Sequence, residues 1–336
     1  MKSFGLGTYA LSGGVAVALL AGCGGSQPPI GAPGTMRQTT AIATHADRGK
    51  SWILPEAKNE DLIYATGGCL GTCVFAYPRG KLVGTLDVGF GGSYASSGDC
   101  TDANGNVFIS NNDNVFEYAH GATEPIATLD LPGSNAIGCS VDPATGNLAV
   151  VFSGSGKNVA IFPDATGTPS LYDSDIDSAY CGYDNNGNLF VNGYGSENAF
   201  SIAELPNGGS GFSPISVSQS VGTPGQMQWD GNYITYESRA RHQITVSRLE
   251  ISGSEATIVS TTTFEKVGEA LQSWIYGDKI FIPYVYKGHS GHPDRVGVWK
   301  YPKGGKPTTS IQVKGVYQKT INFQAVTLSS GRYPAR

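Results

Sequence analysis

Charge is scarce in this 336-residue chain: only 15% of its residues are Asp, Glu, Lys or Arg. The 22 Lys and Arg are outnumbered by 27 Asp and Glu, for a formal charge of −5. Binding a phosphate backbone needs clustered positive charge to displace counterions, so nucleic acid is not an expected partner. A nucleophile elbow of the Gly-x-Ser-x-Gly type between a strand and a helix is also missing. Gly154-Ser155-Gly156-Lys157-Asn158 has Val151 where a phosphate loop needs its first Gly and Asn158 where it needs Ser or Thr, and it is read as a turn. The Asp-x-Asn-Gly-Asn segments never reach the downstream Glu that completes a calcium loop. Their Asp and Asn are read as turn formers that bond their own backbone. With no acid, base and nucleophile set legible, neither catalysis nor a cofactor is expected.

What is abundant points to one structural class. The 47 Gly, 18 Pro and 17 Tyr suit many short strands joined by tight turns, because Gly supplies positive φ and Pro presets φ at turn corners. Length alone allows two domains, but closed all-β bodies routinely use this much chain for one.

A phrase of the form Asp-x-x-(x)-Gly-Asn-apolar-x-apolar recurs as DANGNVFI from Asp102, DPATGNLAV from Asp142 and DNNGNLFV from Asp184, shortens to DGNYI from Asp230, and survives worn as IYGDKIFI. Its glycines, Gly105, Gly146, Gly187, Gly231 and Gly277, are spaced by 41, 41, 44 and 46 residues. A second phrase keeps step: an apolar strand followed by Pro-x-Gly or its near equivalent, around Pro78, His120, Pro163, Pro206, Ser252 and Pro302. Four short strands per 40 to 50 residues is the period of propeller blades, since one four-stranded sheet buries both faces only when neighbours stack on it. Six outer turns imply six blades. The inner strand that precedes each Asp-Gly-Asn turn has no copy before the first blade, and its sixth copy appears at Phe323 to Gly331. The expected fold is therefore all-β, a six-bladed β-propeller over residues 51–336 closed by the C-terminal strand pairing with the N-terminal blade, at Asp61 to Ala65.

These repeats resemble the six-bladed propellers of the NHL-repeat and gluconolactonase-like (SMP-30-type) group, and more closely a set of bacterial propeller lipoproteins without an assigned activity. The metal-dependent lactonases of that group use inward-pointing Glu, Asn and Asp, whereas the inner strands here present mostly Cys, Met, Trp, Val and Ser. The resemblance implies the fold and puts that activity in doubt.

The first 22 residues read as an export signal, with Lys2 as the positive end and Val15 to Leu20 as an apolar stretch too short to span a bilayer permanently. Leu20-Ala21-Gly22-Cys23 resembles the lipobox of bacterial lipoproteins, which implies a lipid anchor on Cys23. Gly24 in place of Asp implies outer-membrane sorting if the host has one. Residues 23–50, poor in large apolar side chains, read as a flexible tether, and His45 falls within it.

Export implies an oxidising setting for the remaining cysteines. Cys69 and Cys73 flank a hairpin turn and can close a local disulfide. Cys100, Cys139 and Cys181 occupy the inner-strand position that later repeats fill with Met227, Trp274 and Ala325, and are expected as packed thiols. His289, His292 and Asp294 are the one cluster of ligand types, with a solvated loop as the simpler reading and no metal expected. His120 and His242 read as surface. Tyr183, Trp229, Trp274 and Tyr276 lie near the inner strands and are the candidate ligand-binding aromatics, with core packing as their alternative role. The expected protein is a monomeric, lipid-anchored, extracytoplasmic module that binds a small molecule or a protein at the propeller face. A lactonase-like hydrolase and a structural envelope scaffold stand as alternatives.

Overall fold

A computed structural model describes residues 50–332 apart from 70, 90–97, 154–155, 219–221, 241–242, 271, 287–293 and 313–322. The signal segment, Cys23, His45, His242, His289 and His292 lie outside the described residues.

The recurring Asp turn does its work through its own side chain. Asp102 Oδ1 accepts the backbone N–H groups of Asn104 at 2.8 Å and Asn106 at 2.7 Å, and Asp184 Oδ1 accepts those of Asn186 at 2.8 Å and Asn188 at 2.9 Å. The following glycines sit at φ 86° (Gly105), 75° (Gly146), 79° (Gly187) and 97° (Gly231), where a Cβ is strained. Local chemistry thus reverses the chain at each copy and sends it into an antiparallel neighbour.

The described strands assemble into five sheets. The first runs Trp52–Ile53, Lys81–Leu86, Gly71–Tyr77, Asp61–Gly68 and Ala325–Ser329. The second runs from Ala127–Asp130 through Asn114–Tyr118 and Val107–Asn111 to Asp99–Thr101, and the third from Ser170–Tyr172 through Val159–Phe162 and Leu148–Ser153 to Ser134–Val141. An eight-stranded sheet joins two antiparallel halves. One half runs Asp177–Tyr183, Leu189–Tyr194, Phe200–Leu205 and Ser213–Val217, and the other Glu255–Phe264, Gln243–Ser252, Ile234–Ala240 and Met227–Trp229. Only two parallel residue pairs join the halves, Ser216 with Glu255 and Val217 with Ala256. In the fifth, Val267–Ala270 and Trp274–Tyr276 both pair with Lys279–Tyr286, followed by Arg295–Lys300 and Thr309–Gln312.

The innermost strands touch one another in turn: Ala325–Ser329 meets Asp99–Thr101, which meets Ser134–Val141, then Asp177–Tyr183, then Met227–Trp229, and Trp274–Tyr276 returns to Ala325–Ser329. Between Met227–Trp229 and Trp274–Tyr276 the Gln228 side chain makes the junction, donating to Ile275 O at 2.7 Å and accepting from Ile275 N at 2.8 Å. The result is an all-β, propeller-like body. Head and tail of the chain share a sheet, as expected, with Leu62 opposite Ser329 through to Thr66 opposite Ala325. That pairing covers an edge that would otherwise offer free backbone groups to a foreign strand.

Apolar side chains from facing sheets fill the space between them. Tyr64, Phe75, Phe108, Phe162, Phe264 and Trp299 are all fully buried. Phe264 and Tyr284 meet Trp299 edge-on, at centroid distances of 6.2 and 5.4 Å, the geometry that aromatic quadrupoles favour.

Two sequence expectations need correction. Cys100 and Cys139, expected as packed thiols, form a disulfide with Cα atoms 5.8 Å apart. Equivalent positions on neighbouring inner strands come within bonding range because the backbones there are stripped of side chains: a Cβ on Gly98 would lie 2.7 Å from the Gly138 Cα. Only Cys181 keeps the expected state among the described residues, buried as a free thiol with Sγ 3.8 Å from Ala149 O. His120, expected at the surface, is half-buried against the closing strand. Ser329 Oγ donates to Gly105 O at 2.5 Å and therefore accepts from His120 Nδ1 at 2.7 Å. Cys69 and Cys73 are also joined, with Cα atoms 5.3 Å apart. Two disulfides fit maturation in an oxidising, extracytoplasmic setting.

Candidate functional site

The four aromatic candidates do not converge on one pocket. Tyr183 is buried in the core between the third sheet and the first half of the eight-stranded sheet. Trp274 packs against two core clusters that belong to different sheets, one containing Phe323 and Phe281 and the other containing Cys100 and Cys139. Its indole therefore packs between those two clusters. Tyr276 is exposed at the turn of the fifth sheet. Trp229 lines a cavity that the other three do not reach. Asp294 pairs locally, its carboxylate 3.6 Å from Arg295 Nε and 3.5 Å from Gln312 Nε2. Among the described residues no group of three or more His, Cys, Asp or Glu is placed to hold a metal ion.

Side chains from one short segment cross between inner strands. Gln272 Oε1 accepts from Asp99 N at 2.7 Å while its Nε2 donates to Asp99 O at 2.5 Å, and Trp274 follows two residues later. Around this crossing lie two buried carboxyls that the sequence reading did not single out. Burial pushes the Asp99 pKa up to about 8, and Thr66 offsets only part of that effect. Burial likewise raises Glu237 to about 7, moderated by Arg239, whose Nε lies 3.7 Å away, and by Ser273. Arg239 is held in turn by Tyr180, to whose hydroxyl oxygen its Nη2 donates at 2.6 Å.

The cavity that contains Trp229 is a cleft of about 450 Å³ on the face carrying the Asp-Gly-Asn turns, between the two halves of the eight-stranded sheet. Trp229 and Tyr233 flank the shortened Asp230-Gly231-Asn232 turn of one half; the other half contributes Asn186 and Asn188 from its turn and Glu204 from strand Phe200–Leu205. Phe190, Ile234 and Leu249 form its buried apolar part and Glu250 its rim.

Some of these polar groups are committed to the fold. Asp184 accepts from Asn186 N, Asn188 N and Asn188 Nδ2, the last at 2.9 Å. Beside the cleft, Arg248 Nε and Tyr301 Oη both donate to Asp230 Oδ2 at 2.6 Å. Burial works to raise Asp230, but hydrogen bonds from Tyr301, Tyr233 N, Asn232 N and Arg248 hold its pKa below the usual carboxylate value. The Arg248 guanidinium also stacks 5.6 Å from the centre of the Tyr233 ring, which fixes that side chain. Glu204 is different: burial, and then the nearby Asp184, raise its pKa. The sequence reading found Trp229 and missed Tyr233, Glu204, Asn186 and Asn232. The available signal was the shortened fourth copy of the turn, DGNYI, which departs from its neighbours at this place.

No protein-family model matches this chain, and no curated protein sequence matches it. Among solved structures it is similar to a chain of a nidogen/laminin complex, with a TM-score of 0.59 and 12% identity over 81% of this chain and 98% of that one. It is also similar to a protein of unknown function from Bacteroides caccae, with a TM-score of 0.58 and 12% identity over 80% of this chain and 99% of that one. At such identity the likeness concerns the fold alone: this chain shares an all-β, propeller-like architecture with both.

Proposed function

We propose that the chain is a six-bladed propeller that serves as a monomeric, lipid-anchored extracytoplasmic binding module, with its ligand seat at the cleft that Trp229 lines. The blade number follows from taking each antiparallel half of the eight-stranded sheet as one blade, since their strands pair at only two residue positions among the described residues. The anchor reading rests on Leu20 to Cys23 and on two disulfides that fit an oxidising compartment. Replacing Cys23 by Ser is expected to move the protein from membrane to soluble fractions, and continued membrane retention would count against the anchor.

The observation that carries the seat is the contrast between Trp274 and Trp229. Gln272 and Trp274 are taken up by bonding and packing between inner strands, whereas Trp229 lines an open cleft. The cleft has the size of small-molecule sites, and its many polar side chains, set beside the rings of Trp229 and Tyr233 and an apolar floor, can orient a ligand. A fragment screen by ligand-observed NMR tests this. Hits are expected to be lost in Trp229→Ala and kept in Tyr276→Ala, whereas hits indifferent to Trp229→Ala would place the seat elsewhere.

A further inference from the structure

We infer that the cleft between the two halves of the eight-stranded sheet takes a saccharide, an inference that rests on the cleft being the ligand seat. Its polar lining is the first argument. The side chains of Asn186, Asn232, Glu204 and Glu250 reach the cleft without a hydrogen-bonding side-chain partner among the described residues, and the Tyr233 hydroxyl adds one more free group. Amides and a phenol both donate and accept, while carboxylates accept. Hydroxyl groups, which also do both, can satisfy such a mixed set more fully than any ligand that only donates or only accepts.

The aromatic lining is the second. Trp229 and Tyr233 offer large rigid surfaces that cover the C–H face of a sugar ring while leaving its hydroxyls to the polar groups at the margin. Charge narrows the choice further. Among the described residues no Lys or Arg lines the cleft, so an anionic ligand such as a phosphate ester meets no counter-charge there, and the neighbouring Arg248 is engaged by Asp230 and Tyr301. A cation meets fewer open acceptors than the acidic lining suggests, because Asp184 already accepts three hydrogen bonds from Asn186 and Asn188, and a cation leaves the Asn186 and Asn232 amide donors and the Trp229 and Tyr233 rings unused.

The test is an array of neutral, acidic and amino-sugar oligosaccharides probed with the full chain, followed by titration calorimetry on the best glycan, with spermidine as a cationic comparator. Binding of at least one glycan is expected, weakened at least tenfold by Trp229→Ala and by the solvent-exposed change Asn232→Ala, which serves if the tryptophan variant does not fold. A blank array overturns the saccharide. If spermidine then binds and loses affinity in both variants, the cleft survives as a seat for a cation and only the ligand class falls. Glycan binding indifferent to both variants overturns the cleft itself.

Discussion

Gln272 and Asp99, 173 positions apart in the chain, are joined through both polar atoms of the Gln272 amide, which bonds the backbone N–H and C=O of Asp99 at 2.7 and 2.5 Å. One side chain thus stands in for a neighbouring strand. Gln228 repeats the device on Ile275. Replacing Gln272 by Ala leaves two buried backbone groups unpaired and is expected to cost about 2 kcal/mol in urea denaturation. It should also speed hydrogen exchange at the Asp99 amide. Unchanged exchange there would show that the bond carries no stability.

Trp274 separates packing from binding. Its indole bridges two core clusters, so Trp274→Ala is expected to destabilise the fold by about 3 kcal/mol. Trp229→Ala, at the cleft, should cost less stability and more ligand affinity. The reverse ranking in thermal melts and titrations would move the ligand seat from the cleft to Trp274.

The buried carboxyl of Asp99 makes stability depend on pH with a definite sign. Its folded pKa of about 8 lies above the ordinary value of 3.8, so the folded chain holds a proton that the unfolded chain releases. The stability linked to this group is therefore complete below about pH 4 and falls as pH rises toward 8. Glu237, raised to about 7, acts in the same sense from its ordinary 4.5. Asp99→Asn should raise the Tm by roughly 5 °C at pH 9 and little at pH 4. An equal gain at both would show that the carboxyl does not titrate as its burial requires.

His120 works in the opposite direction. Burial lowers its pKa, so the folded state favours the neutral ring, which gives its Nδ1 proton to Ser329. The stability linked to it is full above the unfolded value of 6.5 and is lost as pH falls below that. The variant Ser329→Ala is expected to cost about 1 kcal/mol near pH 7.5, measured by chemical denaturation, because the ring is left without its acceptor at the strand that closes the body.

The two disulfides should contribute unequally. Cys100 and Cys139 close a loop of sequence separation 39, Cys69 and Cys73 one of only 4. Removing the first pair as the double Ser variant is expected to lower stability by about 2–4 kcal/mol, and removing the second by less, since a longer loop restricts the unfolded chain more. The buried Cys181 thiol, its pKa pushed up by desolvation, should resist iodoacetamide until the protein unfolds.

Residue types reveal local geometry more readily than partners. Asp102, Asp184 and Asp230 could be read as turn formers because each bonds backbone within four residues of itself. The disulfide between Cys100 and Cys139 could not, since their equivalence as core positions holds whether or not their sulfurs meet. The approach of Gly98 to Gly138 decides that, and it is a matter of how two sheets pack. The cleft likewise depends on Asn186 and Glu204 facing Trp229 and Tyr233 across a junction of two residue pairs.

From sequence alone came the all-β class, the repeated turn and the meeting of Asp61–Gly68 with Ala325–Ser329, because period and turn chemistry are encoded within a few residues. Tertiary structure decided which cysteines bond, that Gln272 bonds Asp99 and Trp274 packs between two core clusters, that His120 is drawn under the closing strand, and where a cleft opens. Those outcomes depend on distances between sheets, and alternation along a strand specifies which face a side chain takes but not what stands opposite it.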